Sequence, residues 1–157
     1  MIEQTLFDEL QLKYPDGFHV LSEEERSRLH TLEDGEWVGL SNPEEHILIS
    51  LGRKKINGFA SKILNDKDLT GKMKKEIRRA LQSFDYKGEA DKQCLIGGRK
   101  ARGMGYEYTS QGIDMYAESY LVKKGNILYY FHFYVRNALK NDSLALWSDM
   151  LEGITWL

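Results

Sequence analysis

Three consecutive stretches decide the fold: Lys100–Thr109 (KARGMGYEYT), Ile113–Val122 (IDMYAESYLV) and Ile127–Arg136 (ILYYFHFYVR). Each has strand length and is rich in aromatic and branched residues. Each is divided from the next by a glycine turn, Gln111-Gly112 and then Lys123-Lys124-Gly125-Asn126. Loops this short join antiparallel neighbours. Alternation is expected to set Tyr106, Tyr108, Tyr116, Tyr120, Tyr130 and Tyr134 on one face, and Tyr129, Phe131, Phe133 and Val135 on the other. A sheet bulky on both faces needs cover on both.

Outward from this sheet, the cover is visible as helical spacing. From about Leu69 to Phe84, Met73, Ile77, Ala80, Leu81 and Phe84 follow one apolar face, with Lys72, Lys74, Lys75, Arg78 and Arg79 around it. A shorter helix is expected over 58–66. After the sheet, Asn141-Asp142-Ser143 offers caps for a terminal helix whose stripe is Leu144, Trp147, Leu151 and Ile154, with Trp156 beyond. Upstream, Trp37–Ser41 and His46–Arg53 read as strands divided by Asn42-Pro43. Ser22-Glu23-Glu24-Glu25 is a capping box opening a helix to about His30. Asp34-Gly35 and Tyr14-Pro15-Asp16-Gly17 are turns, the latter leading into a short strand at Phe18–Leu21. Ile2, Leu6 and Leu10 suit a short amphipathic helix. The reading is α+β: an α/β/α sandwich with a mostly antiparallel twisted sheet and helices on both faces.

A chain of 157 residues with 41% hydrophobic and 29% charged residues is long enough for one core and is read as a single domain, 1–157. That balance excludes a disordered chain. One cysteine, Cys94, excludes a disulfide framework and a cysteine zinc site and suits a reducing compartment. Residues 1–15 show neither a basic region nor an apolar core of a leader, and no run approaches the ~20 apolar residues of a membrane helix. The expectation is a soluble cytoplasmic protein.

The net charge of −2 conceals an asymmetry: 1–50 carries −9 and 51–102 carries +9. Opposite blocks of this size either compensate within the fold or leave the basic block for an acidic partner. Nucleic acid is disfavoured, because the pI is 6.1 where binding domains usually exceed ~9.

A resemblance rests on Tyr14-Pro15-Asp16-Gly17-Phe18 followed by the Ser22 helix, on Ile96-Gly97-Gly98-Arg99-Lys100-Ala101-Arg102-Gly103-Met104-Gly105-Tyr106-Glu107-Tyr108, and on the tyrosine-rich strand before a tryptophan-containing last helix. In order and texture over residues 12–157, the chain resembles the PsbP/DcrB-like fold group. Its members include a photosystem accessory protein, a bacterial envelope lipoprotein, a Ran-binding nuclear factor and chaperones of secretion effectors. With no envelope leader or lipoprotein cysteine, the chain looks more like the group's short, uncharacterised cytoplasmic bacterial members. The resemblance implies non-enzymatic binding, as an adaptor or chaperone-like module for a protein or peptide partner, and carries over no functional residue.

Several features compete as sites. The four histidines, His19, His30, His46 and His132, show no ligand spacing, so neither metal nor cofactor is expected. Cys94 has basic neighbours but no local base. The glycine run 97–105 fails both phosphate-loop frames and leads into a strand, where glycines more often mark a bulge or close approach. Arg99, Lys100 and Arg102 within it are the candidate anion binders. The basic helix reads as a solvated outer face. The most specific set is the tyrosine face: Tyr106, Tyr116, Glu118, Tyr120, Tyr130, His132 and Tyr134 as a ligand or partner surface. The opposing reading is packing, with rings buried under a helix. The alternative function is a small enzyme in which Glu118 and His132, facing each other across two strands, form an acid–base pair.

Overall fold

The computed structural model describes residues 1–29 and 35–157. The main sheet has seven strands in the order β3-β4-β5-β9-β8-β7-β6, all antiparallel. They are β3 (His19–Val20), β4 (Glu36–Asn42), β5 (Ile47–Lys55), β6 (Lys87–Ile96), β7 (Arg99–Ser110), β8 (Ile113–Lys124) and β9 (Ile127–Arg136). A second sheet has three strands, β1 (Ile2–Leu6), β2 (Leu10–Tyr14) and β10 (Thr155–Trp156), with β2 central. The helices are α1 (Glu23–Ser27), α2 (Gly58–Ile63), α3 (Asp66–Leu81) and α4 (Lys140–Glu152).

The α+β sandwich is therefore present. On one face of the main sheet, Leu69, Met73 and Ile77 of α3 bury against Met104, Tyr106, Ala117, Leu121 and Leu128. On the other, Trp147, Met150 and Leu151 of α4 share a core with Ile49, Leu51, Phe131 and Phe133. Leu10, Leu12 and Tyr14 of β2 join that same core, so the small sheet and α4 make one layer together.

The two hairpins joining the three decisive strands form as the sequence predicts. Gln111 (φ 52°) and Gly112 (φ 78°) make a two-residue left-handed turn between β7 and β8. Gly97 (φ 55°) and Gly98 (φ 80°) do the same between β6 and β7. Both central residues at positive φ is the type I′ pattern, whose twist matches paired strands. The Ser22 capping box is made: its hydroxyl accepts from the Glu25 N–H at 3.1 Å, and the Glu25 carboxylate accepts from the Ser22 N–H at 3.0 Å. The helix it opens ends at Ser27; His30 and Asp34 lie outside the described residues.

Two local expectations are overturned. The first residues form a hairpin, not a helix. Leu10, Leu12 and Tyr14 are buried at every second position, a strand period that the Ile2, Leu6, Leu10 spacing conceals. Phe7 and Asp8, at φ 57° and 56°, turn the chain, with Glu9 N–H donating to the Leu6 carbonyl at 2.9 Å. At the other end, Asn141, Asp142 and Ser143 do not cap α4. A 3₁₀ turn at Asn137–Leu139 feeds directly into the helix, and the Ser143 hydroxyl donates back to the Leu139 carbonyl at 3.1 Å.

Among the described residues, the charge blocks meet at Arg53. Arg53 is held by Glu9 and reaches Glu36 at 3.8 Å. The bases of α3 pair instead with its neighbour β6: Lys74 with Asp91, and Arg78 with Glu89. Among the described residues, no helix is long and apolar enough to cross a membrane.

Candidate functional site

Strand register divides the tyrosine face in two. Across β8 and β9, Glu118 stands opposite Phe133, Ser119 opposite His132, and Tyr120 opposite Phe131. Across β7 and β8, Tyr106 stands opposite Ala117. Tyr106, Tyr108, Tyr130, His132 and Tyr134 therefore face α3, whereas Tyr116, Glu118 and Tyr120 face α4. Glu118 and His132 lie on opposite sides of the sheet. This corrects the one-face expectation and removes the acid–base pair on which the enzyme alternative depended.

Each half is a closed polar cluster. On the α3 side, Tyr106 Oη lies 2.8 Å from Ser119 Oγ, which lies 2.6 Å from His132 Nδ1. His132 is buried and stacked between Tyr130 and Tyr134, with ring centroids 6.3 and 6.1 Å away. Burial pulls its pKa down to about 4, so the ring is neutral at physiological pH. On the α4 side, Tyr116 donates to Glu118 Oε2 at 2.6 Å and Tyr120 donates to Oε1 at 3.0 Å. Lys92 Nζ stands 3.8 Å from the same carboxylate. Burial pushes both tyrosine hydroxyls far above their ordinary range, and the bond to Glu118 adds to this. Gly105 leaves the room: a Cβ there would lie 2.6 Å from Tyr116 Oη. The strand glycine thus marks a close approach.

Cys94 is half-buried on β6, and burial, with the nearby Glu118 charge second, pushes its thiol up to about 11. A thiol so rarely ionised is a poor nucleophile. Arg99, Lys100 and Arg102 do not converge. Alternation sends Arg99 to the α4 side, where its guanidinium lies 5.7 Å from the Trp156 ring centre, and turns Lys100 and Arg102 to the α3 side. Arg102 lines a small recess with Lys67, Lys74 and Asp91. Among the described residues, no three His, Cys, Asp or Glu side chains gather as a metal site would need.

A cleft of ≈ 800 Å³ opens where α3 ends. Its floor is the α3 side of the sheet: Tyr108, Met115 and Arg136 in one cross-strand row, Leu48 and Tyr134 in the next. One wall is the end of α3 and the segment after it, Ala80, Leu81 and Phe84. Phe84 is pinned at the lip by two backbone bonds, its N–H to the Leu81 carbonyl at 2.9 Å and its carbonyl from the Thr109 N–H at 2.7 Å. The other wall is the β4–β5 turn, with Asn42, Pro43 and His46. That turn is set by the Asn42 side chain, which accepts from the Glu45 N–H at 3.2 Å, and by His46 at φ 55°. Sequence reasoning placed Tyr108 and Tyr134 on the tyrosine face but did not assemble the cleft. Its lining residues run from Leu29 to Arg136 across most of the chain. The sequence reading ran the helix on to Phe84, whereas α3 ends at Leu81 and leaves Phe84 at the lip.

No protein-family model matches the sequence, and no curated protein sequence matches it either. Solved structures do match in shape. A cyanobacterial PsbP (CyanoP) from Synechocystis superposes with a TM-score of 0.71 at 11% identity, over 99% of this chain and 92% of that one. LpqN, involved in cell envelope biogenesis of Mycobacterium tuberculosis, gives 0.60 at 14% identity over 94% of this chain and 82% of its own. A protein of unknown function from Pseudomonas aeruginosa, described as a putative regulator, gives 0.57 at 11% identity over 98% and 94%. At such identities the likeness concerns architecture alone. The chain has a PsbP-like fold.

Proposed function

We propose that the protein is a non-enzymatic binding module, of the adaptor or chaperone-like kind, and that the cleft at the end of α3 is its binding site. The observation that carries this reading is the composition of the cleft: its surface is mainly apolar, with Leu48, Leu81, Phe84, Tyr108, Met115 and Tyr134 in the lining, and its described lining contains no carboxylate. A volume of ≈ 800 Å³ falls within the ~300–1,000 Å³ of small-ligand sites. Phe84 stays 43% exposed at the lip, an apolar cost that an occupant would remove. Both buried tyrosine clusters are already bonded internally, which favours the packing role for them and leaves Tyr108 and Tyr134 as the tyrosines that border the cleft.

Nile red, which is apolar and uncharged, tests the reading. It is expected to bind one per chain, and hydrogen exchange is expected to slow over residues 46–48, 80–84 and 108–115. Ala80→Trp, at an exposed helical position beside the cleft, should weaken the dye at least tenfold without lowering the melting temperature. No binding, or protection falling instead on 67–74 and 91–103, would overturn the assignment.

A further inference from the structure

We infer that the occupant of this cleft is a single-chain amphiphile with an anionic head, its tail against Leu48, Leu81, Phe84 and Met115 and its carboxylate on Arg136. The inference rests on the binding reading above and adds the ligand's chemistry. Arg136 is the last residue of β9, half-buried, and stands opposite Met115 on the cleft floor. Among the described residues, no carboxylate pairs with it, whereas Arg53, half-buried in the same sheet, holds Glu9. A partly desolvated guanidinium beside an apolar wall is the arrangement that gains most from an incoming anion, because its planar fork takes both oxygens at once. The other basic group in the lining is His46, on the turn across the floor, and no acid of the described lining opposes a bound anion. A cation would meet Arg136 without compensation. A neutral apolar molecule would leave the guanidinium covered and unpaired.

Calorimetry with dodecanoate, dodecanol and dodecyltrimethylammonium, below their micelle concentrations, separates head from tail. Dodecanoate is expected to bind at least tenfold tighter than dodecanol, with the ammonium weakest. Affinity should rise roughly fourfold per methylene from octanoate to dodecanoate. Arg136→Gln should bring dodecanoate to the level of dodecanol while leaving dodecanol within twofold. Arg136→Lys, which keeps the charge and loses the fork, should retain part of the preference and guards against a folding effect of the first variant. Equal binding of acid and alcohol, or a preference that survives Arg136→Gln, overturns the anionic head while leaving Nile red binding and the cleft intact. Failure of every amphiphile together with Nile red overturns both.

Discussion

His132 shows how much a single parity decides. A two-residue loop, Gly125-Asn126, pairs Lys124 with Ile127, so even positions of β8 face odd positions of β9. Glu118 and His132 are both even and therefore diverge. The alternation within each strand was legible, and a turn of two or four residues among Lys123-Lys124-Gly125-Asn126 already parts the two side chains; only a turn of three would have joined them on one face. Glycine at φ 62° in the first central position, the type II′ pattern, settles it at two. The consequence for His132 is measurable. Its folded pKa is depressed by burial to about 4 against an ordinary value of 6.5, so between these values the unfolded chain binds more protons. Stability is complete above pH 6.5 and falls as the solution is acidified toward 4. From pH 7 to pH 5 the loss should be about 2 kcal/mol. Glu9 and Glu89, whose pKa values are lowered chiefly by hydrogen bonds from Arg53 and Arg78, lose their contribution mainly below this window. Urea melts of His132→Phe, which keeps a ring between Tyr130 and Tyr134, should be flat from pH 7 to 5 within ~0.5 kcal/mol. An unchanged slope in that variant would mean another group titrates there.

At the scale of elements, long periodic segments were readable and short ones were not. α3 was predicted because Met73, Ile77, Ala80, Leu81 and Phe84 follow helical spacing; the Asn65–Asp68 capping box went unread, so the helix starts at Asp66 and ends at Leu81, where about 69–84 was expected. The first ten residues carry too few apolar positions to distinguish period 3.6 from period 2. Only the docking of Leu10 and Leu12 onto the core decides in favour of strands. The basic outer face of α3 separates likewise into distinct roles. Lys75 is exposed, while Lys74 is paired with Asp91. Lys75→Glu should therefore change stability by less than ~0.5 kcal/mol. Lys74→Glu would oppose Asp91 and should cost about 1 kcal/mol, reduced by added salt. Ile77→Ala, by contrast, empties a site that is 1% exposed and should cost about 2–4 kcal/mol, independent of salt. If Lys75→Glu cost as much as Lys74→Glu, the pairing with Asp91 would not be what holds that seam.

Across the whole molecule, the layer on the α4 side is assembled from both ends of the chain, an arrangement no local pattern could announce. β10 lies beside β2, and the Leu157 N–H donates to the Glu9 carbonyl at 2.9 Å. Trp156 is the residue through which these ends join the main sheet. Its ring meets Tyr129 edge-on at 4.9 Å and Phe131 at 6.3 Å, and Arg99 and Lys124 each lie 5.7 Å from its centre. Its Nε1 donates to the Ile96 carbonyl at 2.9 Å, and Gly97 beside it has no room for a Cβ, which would lie 2.8 Å from Nε1. The β6–β7 turn, β9 and the terminal strand thus converge on one side chain. Trp156→Ala removes the ring and the bond together and should cost about 3 kcal/mol, lowering the melting temperature by roughly 10 °C. Trp156→Phe keeps most of the ring contact and loses only the bond to Ile96, so its cost should be about 1 kcal/mol. The loss in Trp156→Ala should also appear as faster hydrogen exchange at Glu3–Lys13, since β2 is held at that edge by β10. An alanine variant that melts with the wild type, or one whose exchange changes stop at residue 154, would show that the small sheet is secured by Leu10 and Leu12 alone.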